Sequence, residues 1–523
     1  MRLVVVGNGM VGSRFVEDLL AADHAGKYEV TVLGAEACEP YNRVLLSEVV
    51  AGAYDLAALT LPTPEHPRLR VRRGSAAVAL DREDRVVVDS DGLRHRYDQV
   101  VLATGAVARI PPLAGLGTAP GSLVPGVHAL RTIDDAREIV AATYNATSAV
   151  VLGAGVLGLE VACGLARRGC GVTVVHPAPA MMERQLDGPA SQALEGAMSR
   201  LGIDHRVGVG ADGVRLERGR LGGVHLAGGE VLPADLLVVA TGTVVDTSLA
   251  AAAGLPTGRG VLVGDDLASP ADRRVFAIGD CAQPPEGGTG LVAQGWEQAR
   301  RLAAALTAGT GEAVAGPSAS AVPTPGRSSA ATSGPGTSGP GTSGPGTSAS
   351  GTDVVRLKAH GLDVVAMGVC GSARPDDPAQ RSLRLSDPGA GRHVEVVVSG
   401  DRLVGATCVG AGQVAADLVA AYTRRTPLPA DPAYLLLPAL APARAGSSAA
   451  DPTSLPDDAT VCRCNGVSKG AITGALRDGA QSLDEVARAT RATTGCGGCT
   501  DDVCALVDAL TPHRDRSEPV KTV

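Results

Sequence analysis

Along most of the chain the apolar residues fall in short continuous runs rather than in alternation. Arg2–Val6, Glu29–Leu33, Val100–Ala103, Ala149–Leu152, Gly171–Val175, Leu236–Ala240 and Val275–Ile278 each hold four to six residues ending in a turn. Such runs predict parallel strands buried on both faces. Helical stretches follow the first and fourth of them, the first extending through Leu20. The pattern changes after residue 353. Val354–Lys358, Leu362–Val369, His393–Ser399 and Leu403–Val409 alternate well enough to predict a small sheet, and Gln413–Arg424 predicts a helix. Three more helices are predicted near Lys469–Asp478, Leu483–Ala489 and Asp501–Leu510. Two stretches break the pattern. Residues 308–352 are nearly all Gly, Ser, Thr, Pro and Ala, with Thr-Ser-Gly-Pro-Gly repeated three times from Thr332, and 441–456 is shorter but similar. Neither can bury a core, and both predict linkers.

The turns between runs carry the first chemistry. Gly7-Asn-Gly9-Met10-Val-Gly12 joins the first strand to its helix, and Glu36 lies 24 residues beyond Gly12, after the second strand. The spacing G-x-G-x-x-G allows a tight turn and close approach of a pyrophosphate to a helix N-terminus, and an acid at that distance can bond a ribose hydroxyl. A second copy, Gly153-Ala-Gly155-Val-Leu-Gly158, has Glu160 just inside its helix. Two copies in register with strand, helix and strand predict two dinucleotides, a flavin and a nicotinamide, with one site and a degenerate copy as the alternative. His176 stands where the second copy should have its acid, and Arg184 follows eight residues on. An acid favours NADH and an arginine NADPH. The reading leans to NADH and leaves NADPH open. Ala103-Thr104-Gly105, Ala240-Thr241-Gly242 and Gly279-Asp280 end three further strands, and their order around the second fingerprint fits the same plan.

At 523 residues the chain should hold several domains. Aromatic content of 2% means that cores are built from Ala, Val and Leu. A net charge of −8 argues against a nucleic-acid surface, and no run of about 18 apolar residues predicts a membrane span. Gly7-Asn-Gly9 interrupts the N-terminal apolar run too early for a signal peptide, so a cytoplasmic protein is expected. In that setting eleven cysteines suggest metal or redox chemistry rather than a disulfide framework. Seven are scattered, and most of these read as small buried hydrophobes. The other four form Cys462-Arg-Cys464, 31 residues, and Cys496-Gly-Gly-Cys499. Structural zinc favours wider pairs, so the x-spaced pair argues against it. An iron–sulfur cluster accepts four thiolates at varied spacing, and the glycine-rich second loop lets backbone N–H groups approach its sulfurs. Zinc and disulfides remain as alternatives on spacing alone.

Together these residues resemble a known group. Gly7–Gly12, Tyr41-Asn-Arg43, Arg131-Thr-Ile-Asp134, Gly153–Glu160, Gln185-Leu-Asp187, Ala277-Ile-Gly279-Asp280, Leu291-Val-Ala293, Leu357-Lys358 and Leu436-Leu-Pro438-Ala439 resemble the flavoprotein part of bacterial NAD(P)H nitrite reductase large subunits. They are equally similar to the assimilatory nitrate reductase electron-transfer subunit. The terminal cysteine unit resembles the bacterioferritin-associated-ferredoxin-like [2Fe-2S] module. The resemblance implies an α/β fold with two Rossmann-like dinucleotide-binding domains of the two-dinucleotide flavoprotein reductase type, a small α+β interface domain and a small helical [2Fe-2S] domain. The implied boundaries are 1–120 and 247–307 for FAD binding, 121–246 for NAD(P) binding, 308–352 for a linker, 353–440 for the interface domain and 457–510 for the cluster domain. FAD is expected against Gly7, Gly9, Met10, Gly12, Glu36, Arg43, Ala77, Thr104, Gly105, Gly279 and Asp280. NAD(P)H is expected against Gly153, Gly155, Gly158, Glu160, His176 and Gly242, and the cluster on Cys462, Cys464, Cys496 and Cys499.

The implied activity is electron transfer from NAD(P)H through FAD and the cluster to a nitrate or nitrite reductase catalytic subunit, with a homodimer as a possible assembly. Two alternatives stand beside it: a reductase of rubredoxin, ferredoxin or a monooxygenase, and a redox-sensing or cluster-carrying adaptor without turnover. Two departures qualify the resemblance. Nitrite reductases of the group continue into a further haem- and cluster-binding domain, and the sequence to Val523 holds no further cysteine set, so nitrite reduction by these residues is not expected. Related ferredoxin reductases have Leu-Ser-Lys where this chain has Leu46-Ser47-Glu48. Their lysine pairs with a glutamate like Glu160, so that pair is expected to be absent. No Cys-x-x-x-x-Cys follows the first fingerprint, so a disulfide-reductase mechanism is not expected either. Linker 308–352 spans a coil distance of about 35–40 Å, enough for the cluster domain to swing, or it is an insertion tolerated at a surface loop.

Overall fold

The computed structural model describes residues 1–116, 123–308, 353–371, 377–440, 452–462, 465–495 and 497–510. The 308–352 linker, but for Ala308, the expected boundary at 120 and 121, Cys464 and Cys496 lie outside them.

The continuous apolar runs do form parallel sheets. One has Arg2–Val6 between Gln99–Leu102 and Glu29–Gly34, with Leu69–Arg73 beyond the latter and Asp272–Ala277 beyond the former. All five run parallel, and Ala268–Ser269 adds an antiparallel edge. Helices Met10–Ala22 and Val292–Thr307 pack together over it, with Phe15, Leu19, Ala299 and Leu302 buried. The second sheet has the order Asp204–Val207, Gly171–His176, Ser148–Leu152, Leu236–Val239 and Val127–Ala129, again parallel. Helix Val156–Arg167 covers it, its buried side made of Leu159, Val161, Ala162 and Leu165. Most of both cores is Val, Leu, Ala and Ile, as an aromatic-poor composition requires.

The first sheet uses residues from both ends of the segment 1–308, because Asp272–Ala277 returns to pair with Gln99–Leu102 after the second sheet is complete. That return brings the Gly279 turn to the first glycine loop.

Residues 355–409 form a five-stranded antiparallel sheet, ordered Val355–Ala359, Leu362–Gly368, Arg402–Val409, Arg392–Ser399 and Gln380–Asp387. Four of these strands were predictable from alternation. The fifth, Gln380–Asp387, is an edge with no fully buried position, and its apolar signal is limited to Leu383 and Leu385. Helix Gly412–Arg424 packs on one face through Val414, Leu418 and Val419. Leu357, Leu362, Val364 and Val409 join the core beneath helix Val156–Arg167, so this domain is seated on the second dinucleotide domain.

The last domain holds helices Lys469–Arg477, Leu483–Thr490 and Thr500–Leu510 around Val461, Ile472, Val486, Val503 and Leu506. It begins earlier than the composition suggests. Pro452–Ser454 forms a short helical turn with Pro452 buried, and Lys469 Nζ donates to the carbonyls of Thr453 and Leu455. Among the described residues no helix is long and apolar enough to cross a membrane.

Candidate functional site: two glycine turns and a cysteine domain

The two fingerprints have the same local geometry. Gly7 has φ +114° and Gly153 +109°, values that disfavour any side chain. A Cβ on Gly7 would lie 2.2 Å from the Ala103 carbonyl oxygen, and one on Gly153 2.4 Å from that of Ala240. A Cβ on Gly12 would lie 2.1 Å from Gly7 O, and one on Gly158 1.9 Å from Gly153 O. Each helix thus packs against its own turn and against the Ala-Thr-Gly strand end. The middle glycines differ. Nothing lies within 4 Å of a Cβ on Gly155, and only Arg43 Nη2, at 3.9 Å, near one on Gly9. Gly9 and Gly155 cap helices with no side-chain acceptor for the first-turn N–H groups. These openings can take an anionic pyrophosphate.

One consequence is testable. Gly158→Ala should cost about 1–3 kcal/mol through overpacking, read by thermal unfolding. Gly155→Ala should leave the melting transition in place and weaken pyridine-nucleotide binding in a titration, because its methyl group enters open space.

Around the first turn the expected residues converge. Glu36 Oε1 receives Arg43 Nη2 at 2.6 Å, and Glu36 Oε2 receives the Tyr41 hydroxyl at 2.7 Å. Arg43 Nη1 reaches the Arg131 carbonyl at 3.0 Å, while the Arg131 guanidinium pairs with Asp280 at 3.0 Å and bonds Ala106 O beside the Thr104-Gly105 turn. Gly279, φ +75°, donates to Gln298 and faces Val11 of the first helix. Trp296 Nε1 donates to Met10 O at 3.2 Å, so the Val292–Thr307 helix is fastened to the first glycine loop. Asn8 Nδ2, within the loop, is buried without a partner. A buried donor left unsatisfied is costly, which fits a ligand-binding loop. Ala77 starts the strand Ala77–Asp81 and packs on the edge of the same core. Arg131 was in the resemblance but had no assigned role; it is the residue that joins Asp280 to Arg43.

The second turn corrects one expectation. The Glu160 carboxylate is paired after all. Lys358 Nζ lies 2.8 Å from Glu160 Oε1, the Lys358 backbone N–H donates to the same oxygen at 2.9 Å, and Ser47 Oγ donates to Oε2 at 2.6 Å. The cation comes from the interface domain rather than from position 48. Glu48 stands nearby, its carboxyl pushed up by burial and by the Glu160 charge and drawn down by Lys358. His176 ends its strand as expected. The Ala154 N–H donates to His176 Nδ1 at 3.3 Å, which leaves the ring proton on Nε2, aimed at Glu183 Oε2 at 3.1 Å. The His176 hydrogen bond holds the Glu183 carboxyl below its ordinary range. So an acid is present at the strand end, supplied by the loop. The visible signal was a Glu seven residues after a misplaced His. Gly242, φ +98°, follows Ala240-Thr241 and accepts from Arg109 N.

In the last domain Cys462 is fully buried at the end of Thr460–Cys462, and Cys499 is 5% exposed at the entry to helix Thr500–Leu510. Both belong to one small core. Asn465 Nδ2 lies 3.7 Å from Cys462 Sγ, an amide aimed at a sulfur. Buried thiolates with N–H donors suit a cluster. The scattered cysteines behave otherwise: burial pushes the Cys163 and Cys408 thiols up to about 12, far from thiolate chemistry.

Residues 1–305 match the model of the pyridine nucleotide-disulphide oxidoreductase family. The chain belongs to this family. Residues 460–509 match the BFD-like [2Fe-2S] binding domain. The oxidoreductase core therefore takes FAD and NAD(P)H, and the terminal domain takes a [2Fe-2S] cluster. The nitrite reductase [NAD(P)H] of Bacillus subtilis (strain 168) is 30% identical over 516 residues, covering 98% of this chain and 57% of that protein. The assimilatory nitrate reductase electron transfer subunit of the same organism is 28% identical over 525 residues, covering 99% and 60%. The chain thus spans little more than half the length of these relatives. Among solved structures, the covalent putidaredoxin reductase–putidaredoxin complex superposes with a TM-score of 0.66 at 24% identity, covering 83% of this chain and 95% of that one. It shares the reductase fold.

Proposed function

We propose that this oxidoreductase passes electrons from NADH, through FAD and the [2Fe-2S] cluster, to the catalytic subunit of a nitrate or nitrite reductase. When bound, FAD accepts a hydride as an electron pair and the cluster carries one electron at a time, a division that converts a two-electron donor into a one-electron source. The chain's residues position and charge-balance these groups. Gly7, Gly9, Gly12, Glu36, Arg43, the Thr104-Gly105 turn and Asp280 hold the flavin dinucleotide. Gly153, Gly155, Gly158 and the Gly242 turn hold the nicotinamide dinucleotide, and Cys462, Cys464, Cys496 and Cys499 hold the cluster. The observation that carries the reading is contact between the cysteine domain and the flavin domain: Tyr54 OH lies 3.4 Å from Thr500 Oγ1, one residue after Cys499. The names of the Bacillus relatives support the acceptor.

In the test, NADH is added anaerobically to purified, loaded protein, followed by a nitrate or nitrite reductase catalytic subunit. Flavin and cluster absorbance should bleach and then recover as the subunit is reduced. Bleaching without recovery would point to another one-electron protein acceptor. Absence of bleaching with NADH and with NADPH would leave only the adaptor reading.

Glu183 supports NADH over NADPH. Its carboxylate lies beside the strand end where a ribose 2′-hydroxyl is bonded in such folds, and a 2′-phosphate would meet its charge. Glu183→Gln keeps an acceptor for His176 and removes that charge. The NADH-to-NADPH preference in kcat/KM should fall by about tenfold, the weight of one lost charge contact. An unchanged ratio would remove Glu183 from the selection.

A further inference from the structure

The loop that carries Arg43 also touches the cysteine domain, and the contact runs through one side chain. Asn42 is 2% exposed. Its Oδ1 accepts from Val44 N at 3.1 Å, which caps the turn Arg43–Leu45. Its Nδ2 donates to Thr494 O at 2.8 Å and to Gly495 O at 2.6 Å, the two residues before Cys496. Both amide hydrogens are thereby used on the cysteine loop and the carbonyl on the flavin-domain turn. On either side, Tyr41 and Arg43 turn the other way and bond Glu36.

Further side chains of the first helix meet the cysteine domain around this contact. Arg14, braced by Asp18 at 2.9 Å, donates to Asn465 Oδ1 at 3.3 Å. Asn465 in turn donates to Arg491 O at 2.6 Å and approaches Cys462 Sγ. Glu17, on the same helix as Arg14, pairs with Arg491. A Cβ on Gly497, φ +75°, would come within 3.3 Å of Leu45 Cδ2, so the cysteine loop lies close on the flavin-domain turn. A buried amide is costly unless all its bonds are made, and it accepts only one register of its partners.

We propose that Asn42 is a positioning residue that seats the end of the cysteine domain at Thr494 and Gly495 on the flavin domain, so that the cluster would be held in one register beside the flavin site instead of sampling positions on a linker. This rests on the flavin-and-cluster reading above. The seat places the residues that would hold the cluster next to those that would hold FAD, so that the two electrons from oxidation of one NADH to NAD⁺ and a proton could be handed on one at a time. The reach of residues 308–352 is then not needed for the internal part of the route. Nothing else in the 41–45 turn can replace the amide. A serine at position 42 keeps the cap on Val44 but cannot span both carbonyls. An aspartate would set an acceptor against two acceptors.

The test uses the full chain loaded with FAD and cluster, as wild type, Asn42→Ser and Asn42→Asp. Hydrogen exchange of segments 489–495 and 497–503 reads the seating directly, without turnover. Both variants should exchange there about tenfold faster, the scale of a lost buried hydrogen bond, with Met10–Ala22 protection unchanged. Stopped-flow mixing with NADH should show flavin bleaching at the wild-type rate and cluster bleaching slowed about tenfold or more. The cluster's electron paramagnetic resonance spectrum after dithionite reduction should stay as in wild type, which separates seating from cluster loss. Unchanged exchange and unchanged cluster bleaching in both variants would overturn the proposal. If wild type itself shows no NADH-driven bleaching, it is the functional reading that fails, and the exchange measurement still decides the seating.

Discussion

Lys358→Met is expected to lower the melting temperature of the FAD-loaded protein by about 6–12 °C, from a loss of about 3 kcal/mol at roughly 2–4 °C per kcal/mol. The Glu160 side chain is 2% exposed and Lys358 19%. Removing the ammonium leaves a carboxylate in the core with one hydroxyl and one backbone N–H, from Ser47 and residue 358. Breaking a buried pair from one side usually costs about 3–5 kcal/mol; the partial exposure of Lys358 places this case at the low end. The reverse change is milder. Glu160→Gln leaves a lysine whose long stem can carry its charge to solvent, so its loss should be under half as large, and the double variant should recover part of the Lys358→Met loss. This asymmetry separates an ion pair from simple packing. Equal losses in the two single variants would mean that the charge of Glu160 is not what Lys358 compensates. The pair also ties the interface domain to the helix after the second glycine turn, so Lys358→Met should loosen residues 355–368 in hydrogen exchange.

The same pair marks where reading the sequence reached its limit. The glycine turns were legible because their chemistry is local: Gly7 and Gly12 contact each other within one loop, and the strand, turn and helix are contiguous. The parallel sheets followed from the apolar runs, and the cysteine domain from the spacing of Cys462 and Cys499 around helices of clear period. Lys358 meets Glu160 across 198 residues of sequence. Nothing local says that a lysine in Val355–Ala359 replaces one missing at position 48. Sequence comparison with the ferredoxin reductases looked for the cation on the wrong element. His176 and Glu183 failed for a related reason: the acid was sought on the strand and came from the following loop, reached through an imidazole. Asn42 gave no signal, because an asparagine in a turn is commonplace and its partners lie more than 450 residues away. Strand Gln380–Asp387 was missed because an edge with no fully buried position offers only two alternating apolar residues, Leu383 and Leu385, too short a period to read.

Cys462→Ser is expected to abolish reduction of a protein acceptor while leaving NADH-driven flavin bleaching in place. The thiol lies at 0% exposure with an amide of Asn465 directed at it. A serine hydroxyl there cannot supply a thiolate ligand, and the [2Fe-2S] absorbance and paramagnetic signal should both be lost. The fold of the domain should go with them. Its core is small, built on Val461, Ile472, Val486, Val503 and Leu506. A unit of this size rarely draws more than about 3–5 kcal/mol from its core alone, and metal-site binding energy in such domains is folding energy. Proteolysis of Cys462→Ser should therefore cut within residues 452–510 while the reductase core stays intact, and the contacts of Thr494 and Gly495 with Asn42 should be lost. Ferricyanide, which can be reduced at the flavin, should still be turned over. The three readouts separate the roles of flavin and cluster. Full delivery of electrons to a nitrate or nitrite reductase subunit by Cys462→Ser would mean that electrons leave from the flavin and that the cysteine domain serves another purpose.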